Sequence, residues 1–126
     1  METTAKRQLL LAEDDEMLAS LLEYRLKMAG FEVSVVHDGK KVKEHLARQT
    51  PDIIVSDIMM PYFSGIELVD YLRNEIHSQV PIIIISSAGN EENVLSAFEL
   101  GANDFIAKPV NPSELLVRVN RELNKA

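Results

Sequence analysis

The 126-residue sequence predicts a doubly wound α/β domain, a (βα)5 arrangement in which a parallel sheet carries helices on both faces. Five short apolar runs alternate along the chain with longer segments whose apolar residues recur every three or four positions. Residues 53–55 and 82–85 are apolar at every position, as inner strands covered on both faces require. Because parallel strands are joined by right-handed crossovers, the intervening helices pack back onto the sheet.

The first βα unit shows the pattern most clearly. Its strand is predicted over Gln8–Ala12 and its helix over Asp15–Ala29, where leucines recur at helical spacing and Gly30 supplies a stop. The second unit combines a strand over Phe31–Val36 with a helix over Lys40–Ala47. Apolar and polar residues alternate through this strand, which indicates an edge position with one face partly wet.

The other three units repeat the order of strand and helix. Their strands are predicted over Asp52–Ser56, Pro81–Ile85 and Asp104–Ala107. Their helices are predicted over Ile66–Ile76, Glu91–Leu100 and Ser113–Leu123. No repeat or linker-like segment interrupts the sequence, so we expect a single domain over 1–126, with an ordered core at about 7–124 and no output domain in this chain.

Composition narrows the classes of function. With 46% hydrophobic and 26% charged residues the chain is an ordinary globular protein, and it lacks the 20 or so consecutive apolar residues of a membrane span. The absence of cysteine excludes disulfides and fits a reducing compartment, so we expect a cytoplasmic location. A net charge of −7 disfavours direct binding to nucleic acid.

Polar side chains follow the predicted strands at their carboxyl ends, where open α/β sheets bind ligands. They are Glu13, Asp14, Asp57, Ser86 and Lys108. Taken singly, each is explained as a helix cap or a solvated charge. Together, however, three carboxylates at one rim repel each other by roughly 3 kcal/mol per pair at about 5 Å and an effective dielectric of about 20.

This repulsion predicts a divalent cation. Three carboxylates and Lys108 leave a charge of about −2, and Mg²⁺ binds through carboxylates, waters and phosphate oxygens. A carboxylate beside Mg²⁺ can attack phosphorus, and Asp57, central in the sheet, is the expected nucleophile. Glu13 and Asp14 would then be metal ligands, Lys108 would hold the phosphoryl group, and Ser86 would donate to it.

Four fragments resemble the receiver domains of two-component response regulators: Glu13-Asp14-Asp15, the run 57–65, Ser86-Ser87 and the run 101–109. The resemblance implies the flavodoxin-like strand order 2-1-3-4-5. It also implies phosphorylation of Asp57 by the phosphohistidine of a sensor histidine kinase or a histidine phosphotransfer protein. Such a domain is a phosphoacceptor that catalyses only its own phosphorylation and dephosphorylation, and it controls a target protein or an attached output domain.

The same resemblance implies individual roles. Asp14, Asp57 and the backbone carbonyl of Met59 would bind Mg²⁺, or Mn²⁺ as a substitute, directly, and Glu13 would bind it through water. Ser86 and Phe105 would form the conformational switch. The residues that shape the surrounding loops would be Met60, Pro61, Gly65, Ser87 and Pro109. The Lys108-Pro109 bond is expected to be cis, although only about 5% of X-Pro bonds are.

The sequence departs from the family pattern in ways that affect partners. Serine replaces the commoner threonine at position 86 and keeps the hydroxyl donor. Receivers that dimerise through their fourth and fifth helices often carry a basic residue where this chain has Val94, and Asn103 replaces an acidic partner. The resemblance therefore leaves this dimer open. Three charged residues of the dimer pattern are retained: Asp104, Glu114 and Arg118. They are explained as well by solvated surface charges as by dimer contacts.

Two other protein classes fit these residues poorly. A flavin site would not place three acidic residues after the first strand, and a phosphohydrolase would have an aspartate where Met59 stands. A phosphorylation-independent interaction module stays as the alternative. Tyr62 and Phe63 are predicted to be exposed, either as a partner contact or as a cover for their loop. Three histidines lack metal-ligand spacing and are predicted to be ordinary surface residues: His37, His45 and His77.

Overall fold

The computed structural model describes residues 6–87 and 89–125, and it contains the predicted sheet. Five parallel strands lie in the order β2-β1-β3-β4-β5, which confirms both the doubly wound fold and the strand order. The strands are β1 Gln8–Ala12, β2 Glu32–Val36, β3 Ile53–Asp57, β4 Ile82–Ser86 and β5 Asp104–Ala107. Residues 1–5, part of the expected single domain, lie outside the described residues.

The strand bounds differ from the predictions by one residue at most. β3 and β4 are buried at every position, and β2 lies at an edge, as predicted. Asp57 and Ser86 are the last residues of β3 and β4, whereas the sequence pattern ended each strand one residue earlier. Their polar side chains did not continue the apolar run, but their backbones still pair with the neighbouring strands.

Five α-helices connect and flank the strands: α1 Glu16–Met28, α2 Gly39–Arg48, α3 Gly65–Asp70, α4 Glu91–Leu100 and α5 Pro112–Leu123. Side chains cap several of their N-termini. The carboxylate of Asp15 accepts from the N–H groups of the first turn of α1, and Ser64 and Glu67 form a reciprocal capping box on α3. Gly101 ends α4 in the left-handed conformation at φ 119°, a region that favours glycine.

The third helix is only partly α-helical. The pattern predicted one helix over Ile66–Ile76, but α3 ends at Asp70 and a π-helical segment follows over Tyr71–Glu75. The N–H of Ile76 donates to the carbonyl of Tyr71, five residues back, at 3.0 Å. Apolar spacing could not separate the two helix types, because a π turn differs from an α turn by one residue.

Arg73 on the π-helical segment ties this helix to two neighbouring connections. Its guanidinium donates to the carbonyls of Ser78 and Val80 and, through Nε and Nη2, to the carbonyl of Gly101 at 3.1 and 3.0 Å. It also reaches Oδ1 of Asn103 at 2.9 Å. A single side chain thus satisfies several carbonyls that would otherwise need water.

Each face of the sheet has its own core. Leu9 and Leu11 of β1 point toward α1 and α5, and Leu10 and Ala12 point toward the opposite face, where α2, α3 and α4 pack. Both cores are rich in fully buried isoleucine and leucine. None of the helices in the described part of the chain has the length and apolar character needed to cross a bilayer.

One of the three histidine predictions was wrong. His45 is buried, because it follows Gly39 and Val42 at three-residue steps along the inward face of α2. This burial, together with the charge of Arg48, lowers the pKa of His45 below its ordinary value. His37 and His77 are exposed as predicted.

Asp104 is also buried and is not the solvated charge that one interpretation expected. Its carboxylate lies 2.8 Å from Nη1 of Arg118 and 2.9 Å from Nη2 of Arg121, and Arg118 also contacts Glu114 at 3.2 Å. These charges therefore form a network within one chain.

Candidate functional site

The carboxyl ends of four strands bring the polar residues to one rim of the sheet. The parallel register places Ala12 beside Ser56, Asp57 beside Ile85, and Ser86 beside Ala107. Glu13 directly follows Ala12, and Lys108 directly follows Ala107, so that their side chains reach Asp57 from either side.

Lys108 joins two of the acidic residues. Its ammonium lies 2.7 Å from Oδ2 of Asp57 and 3.6 Å from Oε1 of Glu13. Burial opposes the charge on this lysine, but the hydrogen bond and charge of Asp57, with the charge of Glu13, raise the pKa of Lys108 overall. Lys108 is therefore a firmly cationic group at the centre of the site.

Three carboxylates form a compact acidic cluster. Glu13, Asp14 and Asp57 each offer an oxygen that lies within 4.8 Å of the others. Glu13 is 0% exposed and Asp57 4%, whereas Asp14 faces solvent. Burial, reinforced by Asp57, raises the pKa of Glu13 to about 7, although the N–H of Asp15 and the charge of Lys108 act in the opposite sense.

Glu13 also has an unsatisfied atom. Its Oε2 accepts from the N–H of Asp15 at 3.0 Å, but Oε1 is buried and has no hydrogen-bond partner among the described residues. The ammonium of Lys108 at 3.6 Å is too distant for a hydrogen bond. A buried acceptor in this state is unfavourable unless a ligand or cation satisfies it.

The backbone after β3 holds Asp57 in place. The N–H of Met59 donates to Oδ1 of Asp57 at 3.2 Å, so each oxygen of this carboxylate accepts a hydrogen bond. The N–H of Gly65 donates to the carbonyl of Ile58 at 2.8 Å and closes the loop. A Cβ on Gly65 would come within 2.8 Å of the carbonyl oxygen of Asp57, so the start of α3 must be a residue without one.

Comparison with known proteins decides the family. The sequence-family model for the response regulator receiver domain matches residues 9–120. The chain belongs to this family. Receiver domains of response regulators are signalling domains of two-component systems and not classical enzymes.

Two curated relatives illustrate the match. The transcriptional regulatory protein CpxR of Escherichia coli K12 is 38% identical over 119 residues, covering 94% of this chain and 50% of CpxR. The alkaline phosphatase synthesis transcriptional regulatory protein PhoP of Bacillus subtilis is 32% identical over 120 residues, covering 95% of this receiver domain and 50% of PhoP. The chain therefore spans about half the length of these relatives.

Solved structures agree with the fold. A putative response regulator from Chloroflexus aurantiacus has a TM-score of 0.89 and 31% identity, covering 96% of this chain and 100% of that one. The receiver domain of the sensor histidine kinase PA1611 from Pseudomonas aeruginosa has a TM-score of 0.85 and 30% identity, with coverage of 96% and 100%. That protein was solved with a magnesium ion in its active site cleft.

In this receiver domain the two expected switch residues have their contacts with neighbours outside the acidic cluster. The hydroxyl of Ser86 donates to the carbonyl of Ser87 at 3.1 Å. The ring of Phe105 is 38% exposed and packs edge-to-face on Phe98 with centroids 6.0 Å apart. Ser86 and Phe105 line the same groove between α4 and β5, with a volume of about 530 Å³.

The expected supporting residues lie in the segments that follow β3, β4 and β5. The Lys108-Pro109 bond is cis, as predicted. Ser87 is exposed, and the sulfur of Met60 lies 4.0 Å from the hydroxyl of Ser56. The carbonyl of Pro61 accepts from the N–H of Gly39 at 3.2 Å.

Tyr62 and Phe63 differ from each other. Tyr62 is 82% exposed at φ 71°. Phe63 is half-buried and packs against the core on the face of the sheet that α2, α3 and α4 cover. Phe63 therefore covers its loop, and Tyr62 points into solvent.

Sequence reasoning missed three residues beside the site. Nδ1 of His37 lies 2.9 Å from the carbonyl oxygen of Glu13, which fixes the end of β1 against the end of β2. Gly39 and Lys43 of α2 contact the loop after Asp57. Their positions follow from how α2 packs, and no local motif marks them.

Proposed function

We propose that this receiver domain takes a phosphoryl group onto Asp57 from the phosphohistidine of a sensor histidine kinase or a histidine phosphotransfer protein. The observation that carries the proposal is the position of Asp57. Its carboxylate lies between the ammonium of Lys108 at 2.7 Å and the acidic side chains of Glu13 and Asp14. This arrangement combines a nucleophile, a cation for the phosphoryl oxygens and oxygen ligands for a metal.

The acidic cluster fits Mg²⁺, with Mn²⁺ as a substitute. Buried Oε1 of Glu13 has no hydrogen-bond partner within the part of the chain that the structure describes, and hard dications prefer oxygen ligands such as the three carboxylates gathered there. Asp14, Asp57 and the backbone carbonyl of Met59 would hold the ion directly, and Glu13 would hold it through water. When bound, the ion would offset negative charge on the transferring phosphoryl oxygens. The magnesium ion of the PA1611 receiver supports this assignment.

In the transfer step, an oxygen of Asp57 forms a bond to phosphorus while the bond from phosphorus to the donor imidazole nitrogen breaks. The imidazole leaves with that electron pair and takes up a proton. Lys108 exchanges its contact with Asp57 for one with a phosphoryl oxygen. The N–H of Met59, now 3.2 Å from Asp57 Oδ1, helps to orient the carboxylate.

A conformational switch would follow. A phosphoryl oxygen on Asp57 offers the hydroxyl of Ser86 a charged acceptor, which is stronger than the neutral carbonyl of Ser87 that it now uses. Inward rotation of Ser86 opens space in the 530 Å³ groove that Phe105 also lines. Movement of Phe105 into that space would change the exposed surface of α4 and β5.

The signal would reach a target protein or an attached output domain, as the transcriptional role in the names of CpxR and PhoP suggests. Residues 1–126 would form one cytoplasmic domain with a core at about 7–124. Its charge of −7 disfavours direct contact with nucleic acid. Asp104, Glu114 and Arg118 are engaged within the chain, and a dimer through α4 and α5 would have to rearrange them.

The test is intact mass after incubation with acetyl phosphate, with and without Mg²⁺, for the native chain and for Asp57→Asn. We expect the native chain to gain one phosphoryl group only when Mg²⁺ is present, and Asp57→Asn to gain none. Asp70→Asn, which changes a half-buried carboxylate on α3, is the matched control and should behave as the native chain. No gain by the native chain would favour a phosphorylation-independent interaction module.

A further inference from the structure

The loop 59–64, which leads from Asp57 to α3, rests against the beginning of α2. The N–H of Gly39 donates to the carbonyl of Pro61 at 3.2 Å. Gly39 is buried, and a Cβ at this position would collide with the side chain of Phe63 and lie 2.8 Å from its Cα. The helix and the loop therefore approach more closely than any side chain at position 39 would allow.

A second contact lies one helical turn further along α2. Nζ of Lys43 sits 4.4 Å from the ring centroid of Phe63 and 4.9 Å from that of Tyr71. The two rings pack edge-to-face with centroids 6.0 Å apart. Within the described residues Lys43 has no acidic partner at ion-pair distance, so its ammonium is held by the two aromatic rings.

We propose that Gly39 and Lys43 are positioning residues for the metal site. They hold the loop 59–64 so that the backbone carbonyl of Met59 is positioned to bind Mg²⁺. The inference rests on the proposed function. Met59 begins this loop and already fixes Asp57 through its N–H. If the loop samples other conformations, the apparent affinity for the ion falls in proportion to the fraction of molecules in the competent conformation.

The first test compares Gly39→Ala with Gly30→Ala. Gly30 has φ +99° and no atom within 4 Å of the methyl group that alanine would add, so alanine there strains the backbone without touching the loop. Both variants should be less stable than the native chain. We expect Gly39→Ala to bind Mg²⁺ about tenfold more weakly by calorimetric titration, and Gly30→Ala to keep the native affinity. Equal Mg²⁺ affinities in all three proteins would overturn the proposal.

The second test compares Lys43→Met with Lys41→Met. Removing a positive charge near a cation site should by itself strengthen Mg²⁺ binding slightly. Lys41 lies on the same helix, and among the described residues its ammonium pairs with Glu44, at 3.4 Å. We expect Lys41→Met to bind Mg²⁺ as well as the native chain or slightly better, and Lys43→Met to bind about threefold more weakly. Tighter binding by both variants would contradict the positioning role.

A measurement without metal separates this inference from the proposed function. In metal-free protein the amide hydrogens of the loop 59–64 should exchange faster in Gly39→Ala and Lys43→Met than in the two controls. Unchanged exchange would refute the contact's role in ordering the loop even if the native chain binds Mg²⁺. Faster exchange in a chain that binds no Mg²⁺ would instead refute the proposed metal site, and with it the function assigned to the contact.

Discussion

Replacing Glu13 by glutamine should stabilise the metal-free protein. Glu13 is 0% exposed, and its Oε1 has no hydrogen-bond partner among the described residues. It also lies beside Asp57, so burial and repulsion both disfavour its negative charge. Glutamine has nearly the same shape, can still accept from the N–H of Asp15, and gains an amide that can donate to Asp57. It therefore removes the charge and retains the packing.

The pKa of Glu13 sets the magnitude. Raising the pKa of a carboxyl from 4.5 to about 7 corresponds to about 3 kcal/mol, at about 1.4 kcal/mol for each pH unit. Because the folded chain binds this proton more tightly than the unfolded chain, the native protein loses stability as the pH rises from 4.5 to about 7. The advantage of Glu13→Gln should be absent below pH 4.5 and complete above about pH 7, with 3 kcal/mol as an upper limit because glutamine also weakens the contact with Lys108.

Urea unfolding in the presence of a chelator, at about pH 8 and about pH 4.5, measures this difference. We expect a gain of about 1 to 3 kcal/mol at the higher pH and little change at the lower. The exposed Glu99→Gln serves as the control and should stay within about 0.5 kcal/mol of the native chain at both. The reasoning fails if Glu13→Gln is no more stable than the native chain at the higher pH.

Three further predictions concern stability and are measured by urea unfolding. Arg73→Met should lower the free energy of unfolding by about 2 to 4 kcal/mol, because it leaves several carbonyls without their hydrogen-bond donor. A loss below about 0.5 kcal/mol would mean that water replaces the guanidinium. Gly65→Ala should cost about 1 to 3 kcal/mol because its methyl meets the carbonyl of Asp57, and a neutral result would show that α3 can shift. Asp104→Asn should cost about 1 to 3 kcal/mol through two weakened arginine contacts, and an increase in stability would show that burying this carboxylate is the larger effect.

Most of the fold could be predicted from the sequence, because the strands are short and apolar and are separated by helices with regular apolar spacing. The uninterrupted runs 53–55 and 82–85 became the inner strands β3 and β4, and the alternating run became the edge strand β2. The site was predictable for a related reason, since the polar residues at the ends of parallel strands necessarily meet at one rim. The described residues place Glu13, Asp14, Asp57 and Lys108 there.

What the sequence did not reveal depends on contacts between distant segments. The π-helical segment and the buried ion pairs of Asp104 each depend on how one helix sits against its neighbours. The fit of Gly39 against Phe63 is of the same kind, because both positions are unremarkable until α2 is packed. Periodicity reports which face of an element is apolar, but it does not report what that face meets.

The hydrogen bonds from Arg73 to Gly101 hold the C-terminal end of α4. At its C-terminus the helix is held by two guanidinium bonds to the Gly101 carbonyl, while at its N-terminus the side chain of Asn90 makes no capping bond to the described residues. Because the N-terminal end of α4 follows β4 and Ser86, we expect a rearrangement of Ser86 to displace this end more than the end held at Gly101. Leu95, 64% exposed near the middle of α4, would therefore be displaced further than Phe98, which lies closer to Gly101.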